Sequence, residues 1–124
     1  MKAAQIREYG HADVVNVVEV GTPTVGDGQV LVEVQAASLN PFDTMVREGY
    51  VKDMIKSLPV TLGGDIAGVV REVGSGVGTI AVGDTVYGQA NVVAGNSGAF
   101  AEFAATKAEQ IAKAPANILI TDAA

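Results

Sequence analysis

Leu62–Gly88 reads LGGDIAGVVREVGSGVGTIAVGDTVYG. Glycines stand at Gly63, Gly64, Gly68, Gly74, Gly76, Gly78, Gly83 and Gly88, and β-branched runs lie between them, Ile66–Val73 and Thr85–Tyr87. Glycine beside a strand pattern marks tight turns, bulges and places where two backbones approach closely. A flexible linker would instead be rich in serine and poor in valine. The stretch predicts a strand, a sharp turn and a returning strand, bent enough to wrap a small barrel.

Gly74-Ser75-Gly76-Val77-Gly78 follows a strand pattern and hints at a dinucleotide fingerprint. The third glycine of GxGxxG would fall at Thr79, and Thr79–Val86 has no helical period. Without a helix N-terminus to hold a pyrophosphate, the loop reads as a turn between strands. There is no GxxxxGK stretch, so a P-loop is excluded.

A chain of 124 residues suggests one domain. Its hydrophobic content is 48% with 5% aromatic, so Val, Ile, Leu and Ala must build the core. The formal net charge of −6 argues against nucleic acid and anionic membranes as partners. No apolar run is long enough to span a bilayer, and MKAAQIREYG has no apolar signal core. Cysteine is absent, which excludes disulfides, a thiolate nucleophile and Cys-ligated metal. The single histidine, His11, beside Gly10, reads as a turn residue, because zinc takes several N or S donors. The pattern is that of a soluble, cytoplasmic protein.

In chain order, Met1–Glu8 and Val14–Val20 read as strands, and Thr22–Gly28 as turn chemistry built on Asp27-Gly28. Gln29–Leu39 is the clearest strand: Val30, Val32, Val34 and Ala36 point one way, Leu31, Glu33 and Gln35 the other. Asn40 then suits a helix N-cap, Pro41 the first helical position and Gly49 the C-terminal stop. Phe42, Met45 and Val46 form the expected apolar face, with Asp43 in the first turn. Tyr50–Leu58 reads as loop or weak helix up to Pro59, and Gln89–Gly98 as a polar loop. Ala99–Thr106 alternates as a strand, and Ile111–Ala114 is a last one. Thr121 and Asp122 announce a helix beyond Ile118-Leu119-Ile120, so residues 1–120 read as the domain and 121–124 as the start of a helix leading elsewhere. Many strands, one short helix and frequent turns predict a mainly β protein, a partly open barrel with one or two helices on its rim.

Four pieces then resemble the N-terminal GroES-like domain of the medium-chain dehydrogenase/reductases, in the zinc-free quinone oxidoreductase branch. They are Leu39–Gly49 (LNPFDTMVREG), Gly63–Gly74 (GGDIAGVVREVG), Val82–Gly88 (VGDTVYG) and Gly98–Phe103 (GAFAEF). The zinc branch places Cys where Asn40 stands and a His-Glu pair where Gly64-Asp65 stand, so the resemblance implies no zinc. It implies hydride transfer from NADPH to a quinone or an α,β-unsaturated carbonyl. It also implies a Rossmann cofactor domain that these residues do not include, and no tight NADPH binding by this chain alone. A free-standing GroES-like binding or assembly module is the alternative.

By that resemblance Asn40 is the candidate catalytic residue, its amide offered to the nicotinamide region or to a substrate carbonyl, although a plain N-cap explains it equally. Pro41, Asp43, Thr44 and Tyr50 are candidates for cofactor or substrate binding. Met45 reads as packing, and Arg47 as a surface partner of Asp43 at i+4. Gly63, Gly64, Gly68 and Gly83 read as structural turn residues. Asp65 is expected to accept from backbone amides of the glycine turn, with a proton-donor role only if burial raises its pKa. Asp84 reads as turn chemistry of the same kind. The partner expected is a small-molecule carbonyl or quinone. Self-association is expected too, through an apolar surface ending at Ile118-Leu119-Ile120.

Overall fold

The computed structural model describes residues 1–124. The strands are β1 (Lys2–Ile6), β2 (Val15–Glu19), β3 (Gln29–Ser38), β4 (Val60–Thr61), β5 (Asp65–Val73), β6 (Thr85–Gln89), β7 (Phe103–Lys107) and β8 (Ile111–Lys113), and the one α-helix is α1 (Pro41–Glu48). All pairings are antiparallel. They make two sheets, β2-β1-β4 and β7-β3-β5-β6-β8, and neither closes on itself. This is the mainly β, partly open arrangement that the strand pattern predicts.

Leu62–Gly88 does supply the centre. β5 and β6 pair with Ile66 opposite Gly88 and Gly68 opposite Val86. The return is not sharp, however: Gly74–Asp84 forms a long connection, and Gly74 and Ser75 fold back onto the Gly26–Gln29 turn through Gly74 N–H to Gln29 O (2.8 Å) and Gly28 N–H to Ser75 O (2.9 Å). No helix follows Gly78, which fits the turn reading of that loop. The bend comes instead from β3 against β5, whose register slips at Leu31/Val32 and again at Val34/Ala36. Gly68 sits at this second irregularity, where an added Cβ would lie 2.1 Å from the Glu33 carbonyl oxygen. Bulges of this kind bend a strand and increase its twist.

The main core lies on the inner face of the larger sheet: Val30, Val32, Ile66, Val70, Ile80, Val86, Ala90, Ala99 and Ala104. A second cluster, Ile6, Val46 and Leu62, joins the smaller sheet to α1. Phe100 packs against both. Its segment ties the sheets together: Ala4 N–H donates to Phe100 O, Phe100 N–H to Leu62 O and Glu102 N–H to Lys2 O.

Local expectations needed correction. Leu31, on the face of β3 that also carries Glu33 and Gln35, is 7% exposed; separately, the C-terminal turn Ile120–Asp122 packs against β3 and β5. β7 starts at Phe103, not Ala99, because residues 99–102 are taken up in bridging the sheets. On α1 the buried residues are Asp43 and Val46, whereas Met45 is exposed. Arg47 does not meet Asp43. Its guanidinium reaches Gly10 O at 3.2 Å and Glu48 Oε1 at 3.0 Å, and His11 approaches the same Glu48 carboxylate at 3.4 Å.

Candidate functional site at the strand-to-helix junction

The junction between β3 and α1 is built as its residues dictate. Asn40 is extended (φ −123°, ψ 157°), which Pro41 requires of the residue before it, and Gly49 closes the helix in the left-handed region at φ 88°. At the helix start Asp43 Oδ2 accepts from the Asn40 N–H at 2.8 Å, while the Asp43 N–H donates to the Asn40 backbone carbonyl at 3.0 Å, so the Asn40 side chain itself makes no cap bond. The start of β5 is brought against this first helical turn by the β3–β5 pairing, which sets Ser38 opposite Asp65.

The result is a cleft of about 410 Å³ lined by Asn40, Phe42, Asp43, Gly64, Asp65, Gln89 and Asn91. Asn40 Nδ2 donates to Asp65 Oδ2 at 2.7 Å, and Gln89 Nε2 donates to Asp65 Oδ1. Asp65 thus accepts from two side-chain amides, not from the backbone amides of the glycine turn. A carboxylate is acceptor-only when ionised, and here each of its oxygens has a donor. Gly64 forms the floor: a Cβ there would lie 3.3 Å from Asn91 Nδ2 and 3.8 Å from Asp43 Oδ1. Asn91 Oδ1 is turned away, accepting from the Val93 N–H at 3.0 Å.

Asp43 is 3% exposed. Burial pushes its pKa above the ordinary value. The Asn40 N–H opposes that shift, the nearby Asp65 charge adds to it, and the Gly64 N–H again opposes it. It is therefore Asp43, expected as an ordinary first-turn acid, that the glycine turn faces.

Asp43 also borders a second, apolar recess of about 140 Å³, shared with Val15, Leu39, Thr44, Arg47, Leu62 and Phe100. Asn40, Asp43 and Asp65 therefore come together, and Thr44 stands behind them. Pro41 is an exposed first helical residue. Tyr50 is not brought to the cleft: it lies at the other end of α1 and is 74% exposed. Gly63 takes φ 99° beneath the Phe100 ring. Gly83 and Asp84 lie away from the cleft, in a turn where Asp84 Oδ2 accepts from the Ala81 N–H at 2.9 Å. Gln89 and Asn91 were not picked out in the sequence. The polar character of Gln89–Gly98 was the only sign of them, and nothing in it singles out a residue.

Residues 26–116 match the alcohol dehydrogenase GroES-like domain. This chain belongs to that family. Among similar GroES-like chains, the 2-methylene-furan-3-one reductase of Solanum lycopersicum is 37% identical over all of this chain and 33% of its own length. The human quinone oxidoreductase is 32% identical over 93% of this chain and 34% of its own. The Escherichia coli quinone oxidoreductase complexed with NADPH superposes with a TM-score of 0.88 at 31% identity, covering 99% of this chain and 36% of that one. The chain thus spans about a third of the length of the curated relatives it matches. Within this GroES-like domain, no group of three or more His, Cys, Asp or Glu side chains is placed to hold a metal. No helix is long and apolar enough to cross a membrane.

Proposed function

We propose that this chain forms one wall of the active site of an NADPH-dependent oxidoreductase that reduces a quinone or an α,β-unsaturated carbonyl without zinc. The observation that carries the reading is the amide-and-carboxylate cleft at the strand-to-helix junction. NADPH, when bound, supplies the hydride; the chain's own residues orient the reacting groups and stabilise charge. Asn40 offers an amide N–H to a carbonyl oxygen, the kind of fixed dipole that lowers the barrier as negative charge develops there. Phe42 lines the same cleft and supplies apolar surface that displaces water from a bound ring.

The donor set argues against zinc. Zinc sites take cysteine thiolates and imidazoles. The chain has no cysteine, and its one histidine, His11, is an exposed side chain beside Glu48 and away from the cleft. Asn40 and Gly64 offer no zinc-type ligand, and the Asp65 oxygens are engaged by amides. The relatives named above are a 2-methylene-furan-3-one reductase and a quinone oxidoreductase, which favours this reading over a free-standing assembly module. The nucleotide site is assigned outside residues 1–124, because Gly74–Gly78 leads into no helix.

The test is NADPH consumption by the full-length gene product with a para-quinone and with a short enone, before and after exhaustive dialysis against a chelator. Turnover on at least one acceptor, unchanged by the chelator, is expected. Failure with both acceptors, or a loss that zinc restores, would overturn the proposal.

A further inference from the structure

Gln89 has no place in the reading above, yet it completes the cluster. It ends β6, its side chain is exposed, and its Nε2 donates to Asp65 Oδ1. The other Asp65 oxygen accepts from Asn40 Nδ2 at 2.7 Å. An asparagine amide is nearly symmetric in shape, so packing alone does not decide which end faces where. A carboxylate decides it, because turning the amide over would set its oxygen against an anion. The carboxylate must itself be held, and Gln89 holds it from the opposite side. The backbone of Gln89 is fixed independently, with its carbonyl accepting from the buried Thr106 hydroxyl.

We propose that Asp65 and Gln89 are positioning residues for Asn40. They lock its amide so that the NH₂ end, with one N–H left over, meets a ligand in the cleft as a donor. The group recognised is then a hydrogen-bond acceptor, such as a carbonyl oxygen, rather than an amide N–H. This rests on the functional reading above for its effect on turnover, but not for the orientation itself.

Gln89→Met separates the two. It keeps side-chain length and exposure but removes both donors. In the isotope-labelled 124-residue chain, the Asn40 Nδ2 protons should be widely split in shift, with one slow to exchange. In Gln89→Met that splitting should collapse toward that of a free amide. In the full-length gene product, Gln89→Met should lower kcat about tenfold when Asn40 is present and less than about twofold in an Asn40→Ala background, since misplacing one group is all it does. Unchanged Asn40 amide signals overturn the proposal. So does a kcat loss that persists in full without Asn40. If the wild-type product shows no NADPH-dependent turnover, the functional reading falls, and the amide spectra alone decide the orientation.

Discussion

At the Asp65 end of β5, Gly63 lies at φ 99° with Phe100 so close that a Cβ would come within 2.6 Å of the ring. At the Val73 end, Gly76 and Gly78 have nothing within 4 Å of where a Cβ would sit. Both ends read alike in sequence, as glycine beside a β-branched run. One end is packed glycine: the backbone must approach a ring, a carboxylate and two amides, and the space so cleared becomes the cleft. The other is loop glycine, in which only Gly74 is crowded, by the Gly26 carbonyl at 2.1 Å. A glycine-rich stretch therefore points to a site only where something else closes in on it.

The largest effect that would break this contrast is at Gly68, between the two ends. Gly68→Ala should cost about 3 kcal/mol, because its Cβ meets a backbone oxygen that cannot step aside. Urea denaturation of the chain measures it, and a loss under about 1 kcal/mol would mean that the β3–β5 bulge relaxes freely. Asn40→Ala tests the packed end for function. In the full-length gene product it should lower turnover about tenfold, while costing stability no more than a cap's ~1 kcal/mol. Wild-type turnover would reduce Asn40 to a helix cap.

The carboxylates offer a pH signature of the same end. Asp43 is raised by burial, with Asp65 adding to it, so the folded chain holds its proton more tightly than the unfolded chain. Stability from this group is present below the ordinary carboxylate range of about 4 and is lost as pH rises through the raised value. Carbon-detected titration should place the Asp43 midpoint above about 3.9, and Asp65→Asn should lower it. A midpoint unmoved by Asp65→Asn would show that the two charges do not communicate. The smallest effect belongs to the open loop. Gly78→Ala should leave stability within about 0.5 kcal/mol of wild type or raise it slightly, since only unfolded-state entropy changes.

How much of this could be read in advance divides along physical lines. The β3–α1 junction was legible because Asn40-Pro41 and Gly49 are local signals that act through their own backbone. β5 and β6 were legible from their β-branched runs. The partners inside the cleft were not. Asp65 meets Asn40 and Gln89 across the fold, and nothing in a one-dimensional pattern places Gln89 beside a carboxylate. The burial of Asp43 was missed for the same reason: a first-turn acid is ordinarily wet, and here Gly64, distant in sequence, is brought against it by the fold. Leu31 shares its face of β3 with Glu33 and Gln35, yet it is buried, and alternation along one strand does not show what packs over it. The start of β7 was misplaced because residues 99–102 alternate like a strand while serving two sheets at once.

That double duty has a consequence for how the chain is made. β1 can pair with β2 as soon as both have left the ribosome, but the Phe100 and Glu102 groups that finish its other contacts come far later: Lys2 N–H donates to Glu102 Oε2 across a separation of 100 residues. At ordinary rates of synthesis the first strand waits about 5–20 s for them. Until β4 arrives at Val60–Thr61 the hairpin is a small, marginal ribbon, and even then its sheet lacks the link to the larger one. The two sheets are therefore joined late, and the apolar recess beside Phe100 is among the last parts of the molecule to take shape.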